Sequence, residues 1–177
     1  LRLIDAATEL LADEGYMAFS ARRIAARADL KPQLVHYYFR SMEELVVTVF
    51  QRTTEFYNVA HEAALNSEQP LRALWDLNSN MPEARNVLEF GALAKQYSAL
   101  RDEMRRSGEH FRGLQIEAIE KVYAQKGITN PSMSAPALAT LMSAVARSLV
   151  TEIQVGMETA HDVTRDTVVE YLANIEG

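Results

Sequence analysis

One short segment of the chain brings together side chains that can contact DNA. Gln33 can form two hydrogen bonds with the N6 and N7 edge of adenine, and Lys31 can reach a guanine or a phosphate. His36, Tyr37 and Tyr38 can donate hydrogen bonds to phosphate oxygens. These residue types at this spacing predict an element that reads DNA, with the inward packing of either tyrosine as the alternative.

The sequence around this segment predicts the helices that would position it. Ser20 can cap a helix that runs to about Ala28, and Asp29-Leu30 forms a tight turn. Pro32 suits the first turn of a short third helix, because it lacks only an N–H that would be unpaired there. Two helices joined by a tight turn are typical of a helix-turn-helix, whose second helix fits the DNA major groove.

Charge is distributed unevenly along the chain. The chain has 177 residues with 18 Lys and Arg against 24 Asp and Glu, a net charge of −6. The segment between Ser20 and Met42 nevertheless has five basic residues and one acidic residue, Asp29, which gives +4. The five are Arg22, Arg23, Arg27, Lys31 and Arg40. A small basic face on an acidic body favours a local contact with phosphates, although Arg23 and Arg27 could equally be solvated surface charges.

The rest of the chain also has a helical pattern. Seven Gly, five Pro and no alternating strands predict an all-α fold of about nine helices. Their expected ranges are 1–14, 20–28, 32–39, 42–65, 70–78, 82–96, 97–125, 136–155 and 162–175. Ser41 to Glu44 forms a capping box for the fourth helix, Gly15 ends the first, and Asp162 caps the last. We expect an N-terminal helix-turn-helix domain at 1–46 and a ligand-binding and dimerisation domain at 47–177.

Several classes of protein do not fit the sequence. There is no Cys and no His pair at metal-binding spacing, so we expect neither a metal nor a cofactor. No G-x-S-x-G, glycine-rich phosphate loop or H-E-x-x-H appears, so we expect no enzyme. No apolar run approaches the roughly 20 residues needed to cross a bilayer, which favours a cytoplasmic protein. The first residue is Leu, so we expect the true start of the protein to be missing.

The N-terminal residues resemble the TetR (tetracycline repressor-like) family. The resemblance covers about the first 50 residues. It rests on Ile4-Asp5-Ala6-Ala7, Leu10-Leu11, Glu14-Gly15-Tyr16, Phe19-Ser20, Ile24-Ala25, Ala28-Asp29-Leu30, Leu34-Val35-His36-Tyr37-Tyr38-Phe39 and Leu45. It implies an all-α homodimer with DNA-binding helices one to three and a ligand-sensing bundle. The chain has Asp29 where the family usually has Gly, and Met42 where it usually has Lys; Arg40 is the expected substitute for that lysine.

We expect the DNA contacts from a set of polar, basic and helix-terminal residues in this N-terminal part. They are Ser20, Arg22, Lys31, Pro32, Gln33, Leu34, His36, Tyr37, Tyr38 and Arg40. Among them Gln33 is the leading candidate for a base contact, because it follows Pro32 at the exposed start of the third helix.

The C-terminal helices are rich in aromatic and Met residues, which could line an apolar cavity for a small effector. The candidates are His61, Trp75, Met81, Phe90, Tyr97, Met104, His110, Phe111 and Met142. For each of them the alternative is ordinary packing in the core. The effector would be apolar or aromatic.

The eighth and ninth helices have more apolar surface than one core-facing stripe requires. We expect Leu141, Val145, Leu149, Val168 and Leu172 at a two-fold dimer interface. The alternative is that helices five to seven of the same chain cover this surface.

Together these features predict a ligand-responsive transcriptional regulator. It would be a repressor that binds a palindromic operator as a homodimer and leaves the DNA when an effector binds. The alternative is a helical protein-interaction module that has lost DNA binding.

Overall fold

A computed structural model describes residues 2–80 and 86–177, and within these ranges the chain forms nine α-helices, one 3-10 turn and no strand. The all-α prediction is therefore confirmed for the described part of the chain. The elements are α1 Arg2–Glu14, a 3-10 turn Tyr16–Ala18, α2 Ala21–Arg27, α3 Pro32–Tyr38, α4 Met42–Leu65, α5 Pro70–Asn80, α6 Asn86–Ala94, α7 Ser98–Gln125, α8 Ala135–Gln154 and α9 His161–Glu176. The predictions for Leu1, Met81 and Pro82 lie outside the described residues.

The turn between α2 and α3 has the backbone conformation that the sequence predicts. Asp29 adopts a positive φ of 55°, and the N–H of Leu30 donates to the carbonyl of Ala25 at 2.9 Å. This left-handed position explains the usual preference for Gly, and Asp is among the residues that tolerate it best. Ile24 and Val35, which are 0% and 2% exposed, anchor the two helices in the core.

The start of α4 contains half of the predicted capping box. The N–H of Glu44 donates to Ser41 Oγ at 3.0 Å, as expected for the first bond of the box. The carboxylate of Glu44 accepts from the N–H of Arg40 at 2.7 Å, one residue before the expected partner. The two bonds together fix the junction between α3 and α4.

The predicted N-cap of α9 was wrong by two residues. The helix begins at His161, and its N-cap residue is Ala160 with a φ of 64°. Asp162 lies inside the first turn, where its negative carboxylate can still interact favourably with the positive end of the helix dipole. Capping chemistry favours Asp at this boundary, but the chain places a left-handed Ala there instead.

The chain divides into two compact units, one with residues Leu1–Phe56 and Arg85–Ser107, the other with Tyr57–Ala84 and Gly108–Gly177. The helices α4 and α7 each contribute to both units. In the first unit α6 and the beginning of α7 join the N-terminal helices, so this unit is larger than the segment 1–46. The predicted boundary at residue 46, between a small N-terminal unit and a larger C-terminal bundle, stays a prediction.

Carboxylates hold α6 and α7 in place within the first unit. Glu89 of α6 accepts from the N–H of Tyr16 at 2.6 Å and so caps the 3-10 turn. Glu43 of α4 accepts from the N–H of Ala99 at 2.8 Å and caps α7. Both bonds satisfy helix-terminal N–H groups that lack a partner in their own helix.

In the second unit α5 packs against α8 and α9 around a core that includes Trp75 and Leu172. Glu176, only 6% exposed, caps α5 by accepting from the N–H groups of Leu71 and Arg72 at 2.7 and 3.1 Å. A carboxylate at the end of α9 therefore accepts hydrogen bonds from N–H groups at the start of α5. Among the residues that the structure describes, no helix is long and apolar enough to span a membrane.

Candidate nucleic-acid interface

Exposed residues of α3 make up half of the ten predicted DNA-contacting residues. Gln33, His36, Tyr37 and Tyr38 are exposed, whereas Val35 on the opposite face is buried. Lys31 and Pro32 are exposed at the start of the helix, and Leu34 is half-buried. The sequence therefore gives α3 one apolar side for the core and one polar side for a ligand.

The two tyrosines lie on the surface and not in the core. Tyr37 is 79% exposed and Tyr38 is 63% exposed, and their rings meet edge to face with centroids 5.1 Å apart. Such a contact restricts both rings while their hydroxyl groups stay available for hydrogen bonds. This exposure excludes the alternative in which either tyrosine packs inward.

Two of the five basic residues of this region are committed to acidic partners. Arg23 pairs with Glu14, and Arg27 pairs with both Asp13 and Glu14. The hydrogen bond with Asp13 raises the pKa of Arg27 above its already high ordinary value. The net charge of +4 counted over residues 20–42 therefore overstates the positive charge that can bind phosphates, because the count omits Asp13 and Glu14 at the end of α1.

The remaining cations are better placed for phosphates. Arg22, Lys31 and Arg40 are exposed, and none of them forms an ion pair with another described residue. Arg22 lies in α2, Lys31 directly precedes α3, and Arg40 is the second residue after α3. Ser20 is the N-cap residue of α2, but its side chain makes no capping hydrogen bond.

The candidate effector-site residues fall into separate groups. Phe90, Tyr97 and Met104 belong to the core of the first unit, and Trp75 and Met142 belong to the core of the second. For these five residues packing in a core, which was the alternative reading, is what the structure shows. The eight described candidates are therefore not brought together as one set.

One buried histidine of the second unit, His61, lies beside an aromatic ring and has a ring nitrogen without a hydrogen-bond partner among the described residues. His61 is 4% exposed, and its ring stacks on Phe111 with centroids 4.6 Å apart. His110 is exposed and its ring lies 5.8 Å from that of Phe111. His61 Nδ1 donates to the carbonyl of Tyr57 at 3.0 Å, whereas its Nε2 is buried without a hydrogen-bond partner among the described residues.

The structure corrects part of the predicted dimer interface. Leu149 and Leu172 are 4% and 0% exposed in the single chain, so their side chains have almost no surface to offer a partner. Both lie in the core of the second unit, where they pack with helices of their own chain. Leu141 is 49% exposed, and Val145 and Val168 are half-buried, so these three remain available.

The residues that the sequence did not reveal are mostly acids that act on another element. Glu14 and Asp13 neutralise arginines of α2, and Glu43 and Glu89 cap other elements. Each of these acids reads as an ordinary surface residue in the sequence. A net-charge count over α1 and α2 together would have shown that part of the basic character is cancelled.

This geometry defines a class of protein. It is a helix-turn-helix protein in which α2 and α3 form the motif and α3 presents polar side chains to the surface. Residues 3–49 match the family model of bacterial regulatory proteins, tetR family. This match covers the first three helices and the beginning of α4, so the N-terminal part of the chain is similar to that family.

Two curated relatives are transcriptional regulators of the HTH type. One, from the 5′ region of dhlA in Xanthobacter autotrophicus, is 31% identical over 105 residues, which are 56% of this chain and 51% of the relative. The other, BetI of Rhizobium meliloti, is 37% identical over 49 residues, which are 28% of this chain and 24% of the relative. The chain thus spans about half the length of the first and about a quarter of the second.

Solved structures extend the similarity of fold to nearly the whole chain. A protein from Saccharomonospora viridis, described as a transcriptional regulator and solved in complex with choline, has a TM-score of 0.80 at 19% identity, covering 98% of this chain and 92% of that one. FadR of Bacillus subtilis, solved in complex with stearoyl-CoA, has a TM-score of 0.71 at 16% identity, covering 97% and 96%. At these identities the similarity shows a shared fold.

Proposed function

We propose that this protein is a ligand-responsive transcriptional repressor that binds a palindromic operator as a homodimer. The observation that carries the proposal is the exposed face of α3, where Gln33, Tyr37 and Tyr38 stand clear of the core. Such a face fits the major groove, and the exposed Arg22 and Arg40 fit the phosphate backbone. A chromosomal operator would place its action in the cytoplasm.

Each predicted contact has a distinct task in this proposal. Gln33 reads a base, because its amide can donate to N7 and accept from N6 of adenine in a single plane. Lys31, Arg22 and Arg40 bind phosphates. Ser20, Pro32 and Leu34 shape or border the same surface, and His36 and the tyrosine hydroxyls add phosphate contacts.

A population shift would connect effector and operator. The helix α4 contributes residues to both compact units, and Glu43 in its first turn holds the beginning of α7. An effector that binds the second unit more tightly in one arrangement of α4 would favour that arrangement. The two recognition helices of the dimer would then lose the spacing of one DNA turn, and the protein would leave its operator.

The homodimer would form through α8 and α9 around Leu141, Val145 and Val168. A two-fold interface uses the same patch on both subunits and presents two copies of α3 to a palindrome. Ala144 and Ser148 lie on the same side of α8 as Leu141 and are also exposed, so that a partner helix can approach closely.

The small-molecule effector is supported by similar folds that hold ligands, since one was solved with choline and another with stearoyl-CoA. Those two ligands differ greatly, so they do not identify the effector of this chain. We expect a site in the second unit near His61 and Phe111.

Selection of genomic DNA by the full chain tests the proposal. Fragments of the source genome are incubated with the protein at fixed salt, recovered, sequenced and then tested one by one in gel shifts. We expect a few fragments that share an inverted repeat. Uniform recovery of all fragments, or none, would favour the protein-interaction module instead.

A further inference from the structure

His61 is the one candidate effector-site residue whose polar group is both buried and without a partner among the described residues. Its Nδ1 lies 3.0 Å from the carbonyl oxygen of Tyr57, and a carbonyl oxygen can only accept, so Nδ1 must carry a hydrogen. A neutral imidazole has one N–H donor and one acceptor, so Nε2 presents a lone pair. No described residue donates to it.

The ring cannot readily change this arrangement by taking up a second proton. Burial lowers the pKa of His61 below its ordinary value of 6.5, because an imidazolium would lose its hydration in a site that is 4% exposed. His61 therefore stays neutral at pH 7, and Nε2 stays an acceptor.

The neighbouring ring limits how a ligand can reach this acceptor. Phe111 stacks on one face of His61 with an angle of 29° between the planes. The lone pair of Nε2 lies in the plane of the imidazole, so a hydrogen bond to it must approach the ring edge. A ligand group at this edge would need a donor and would lie beside the ring of Phe111.

We propose that His61 is the polar anchor of the effector site, and that the effector is an apolar molecule with a hydroxyl or N–H donor for His61 Nε2. This inference rests on the proposed function, since it names the ligand class of the effector site. A carboxylate is disfavoured, because its oxygens would face the lone pair of Nε2 without a hydrogen between them. An ether or a tertiary amine of the same shape lacks the donor and should bind weakly.

Matched pairs of small molecules test the ligand class on the full chain. The probes are indole with 1-methylindole, 4-ethylphenol with 4-ethylanisole, and 1-decanol with decyl methyl ether and decanoate. Thermal shift and calorimetry should show at least one donor-bearing member that binds about tenfold more tightly than its methylated partner, the effect of one buried hydrogen bond. Equal binding within every pair, tighter binding of decanoate, or no binding by any probe would overturn the inference.

Substitutions of His61 test the anchor itself. In His61→Phe the donor preference should disappear, while the ligand-free protein should melt at an equal or higher temperature, because an unpaired buried acceptor has been removed. His61→Gln, whose Oε1 can accept the same bond, should keep part of the preference. A lower melting temperature in His61→Phe, with the preference intact, would show a structural histidine that already has its partner.

The two proposals fail in different ways. His61→Phe should bind the selected operator as wild type does, because His61 lies on α4 in the second unit and not among the DNA contacts. If wild type binds its operator but shows no preference for donor-bearing probes, only the inference about the ligand class is contradicted. Absence of any sequence-dependent DNA binding in wild type would sink the proposed function.

Discussion

Gln33 is the residue on which sequence-specific binding should depend most. It is exposed on α3, and its amide can make a planar pair of hydrogen bonds with adenine. We expect Gln33→Ala to weaken binding to the selected operator by about 1–3 kcal/mol and to relax the preference at one base position. Binding-site selection with the variant measures both effects, and an unchanged selected sequence would contradict the assignment.

Arg40 should act in a different way, through charge alone. It is exposed after the end of α3 and has no ion pair among the described residues. Arg40→Ala should weaken binding to all sequences alike and reduce the slope of log K against log salt by about one unit.

Arg147→Ala is a suitable control for Arg40, since it removes an exposed arginine from α8. It should leave the slope unchanged. A loss confined to one operator position in Arg40→Ala, with the slope intact, would mean that Arg40 reads a base.

At the residue scale, the sequence predicts well which side chains have the chemistry to bind DNA. It predicts less well which of them are free of other partners in the folded chain. Helical spacing places Gln33 and Tyr37, which are four residues apart, on one face of α3, because periodicity determines the face of a helix. The pairing of Arg23 with Glu14 depends on how α1 and α2 pack, and a single sequence does not contain that geometry. The unpartnered Nε2 of His61 could not be predicted for the same reason.

Elements were predicted well wherever local chemistry decides their ends. Gly15, with a φ of 74°, follows the last residue of α1, and Pro32 is the first residue of α3. These positions follow from backbone preferences that operate within a few residues. The start of α9 at His161, after a left-handed Ala160, depends on the preceding loop, and capping preference alone places the N-cap two residues too late.

The cap on α5 is an element-scale interaction that joins distant parts of the sequence. Glu176 accepts from the N–H groups of Leu71 and Arg72, and it is 6% exposed. Glu176→Ala leaves two helix-terminal N–H groups without a partner, and we expect the free energy of unfolding to fall by about 2–3 kcal/mol.

Urea denaturation measures the effect of Glu176→Ala, and Glu170→Ala is the matched control. Glu170 is exposed on the same helix, so its removal should change stability by no more than about 0.5 kcal/mol. Equal losses in the two variants would show that the cap on α5 contributes little.

For the molecule as a whole, the burial of residues on α8 and α9 changes which of them we expect at the homodimer interface. The apolar excess on these helices is partly taken up by the core of their own chain, through Leu149 and Leu172. Leu141 keeps 49% of its surface exposed. Leu141→Glu should therefore give a monomer at micromolar concentration, because it places a charge in the centre of the proposed two-fold interface.

Sedimentation equilibrium decides this point, with Val59→Glu as a control at an exposed apolar residue of α4. The control should stay dimeric, and the Leu141 variant should bind its operator much more weakly. A wild-type protein that is monomeric at the same concentration would end the proposal of a dimer.

The most direct test of the central claim is the affinity of the wild-type protein for its selected inverted repeat compared with a scrambled duplex of the same length. Both are measured by fluorescence anisotropy at one salt concentration near physiological. A specific regulator should bind the repeat at least about a thousandfold more tightly than the scrambled duplex. Equal affinity for the two duplexes would mean that α3 does not read sequence, and it would contradict the account of this protein as a transcriptional repressor.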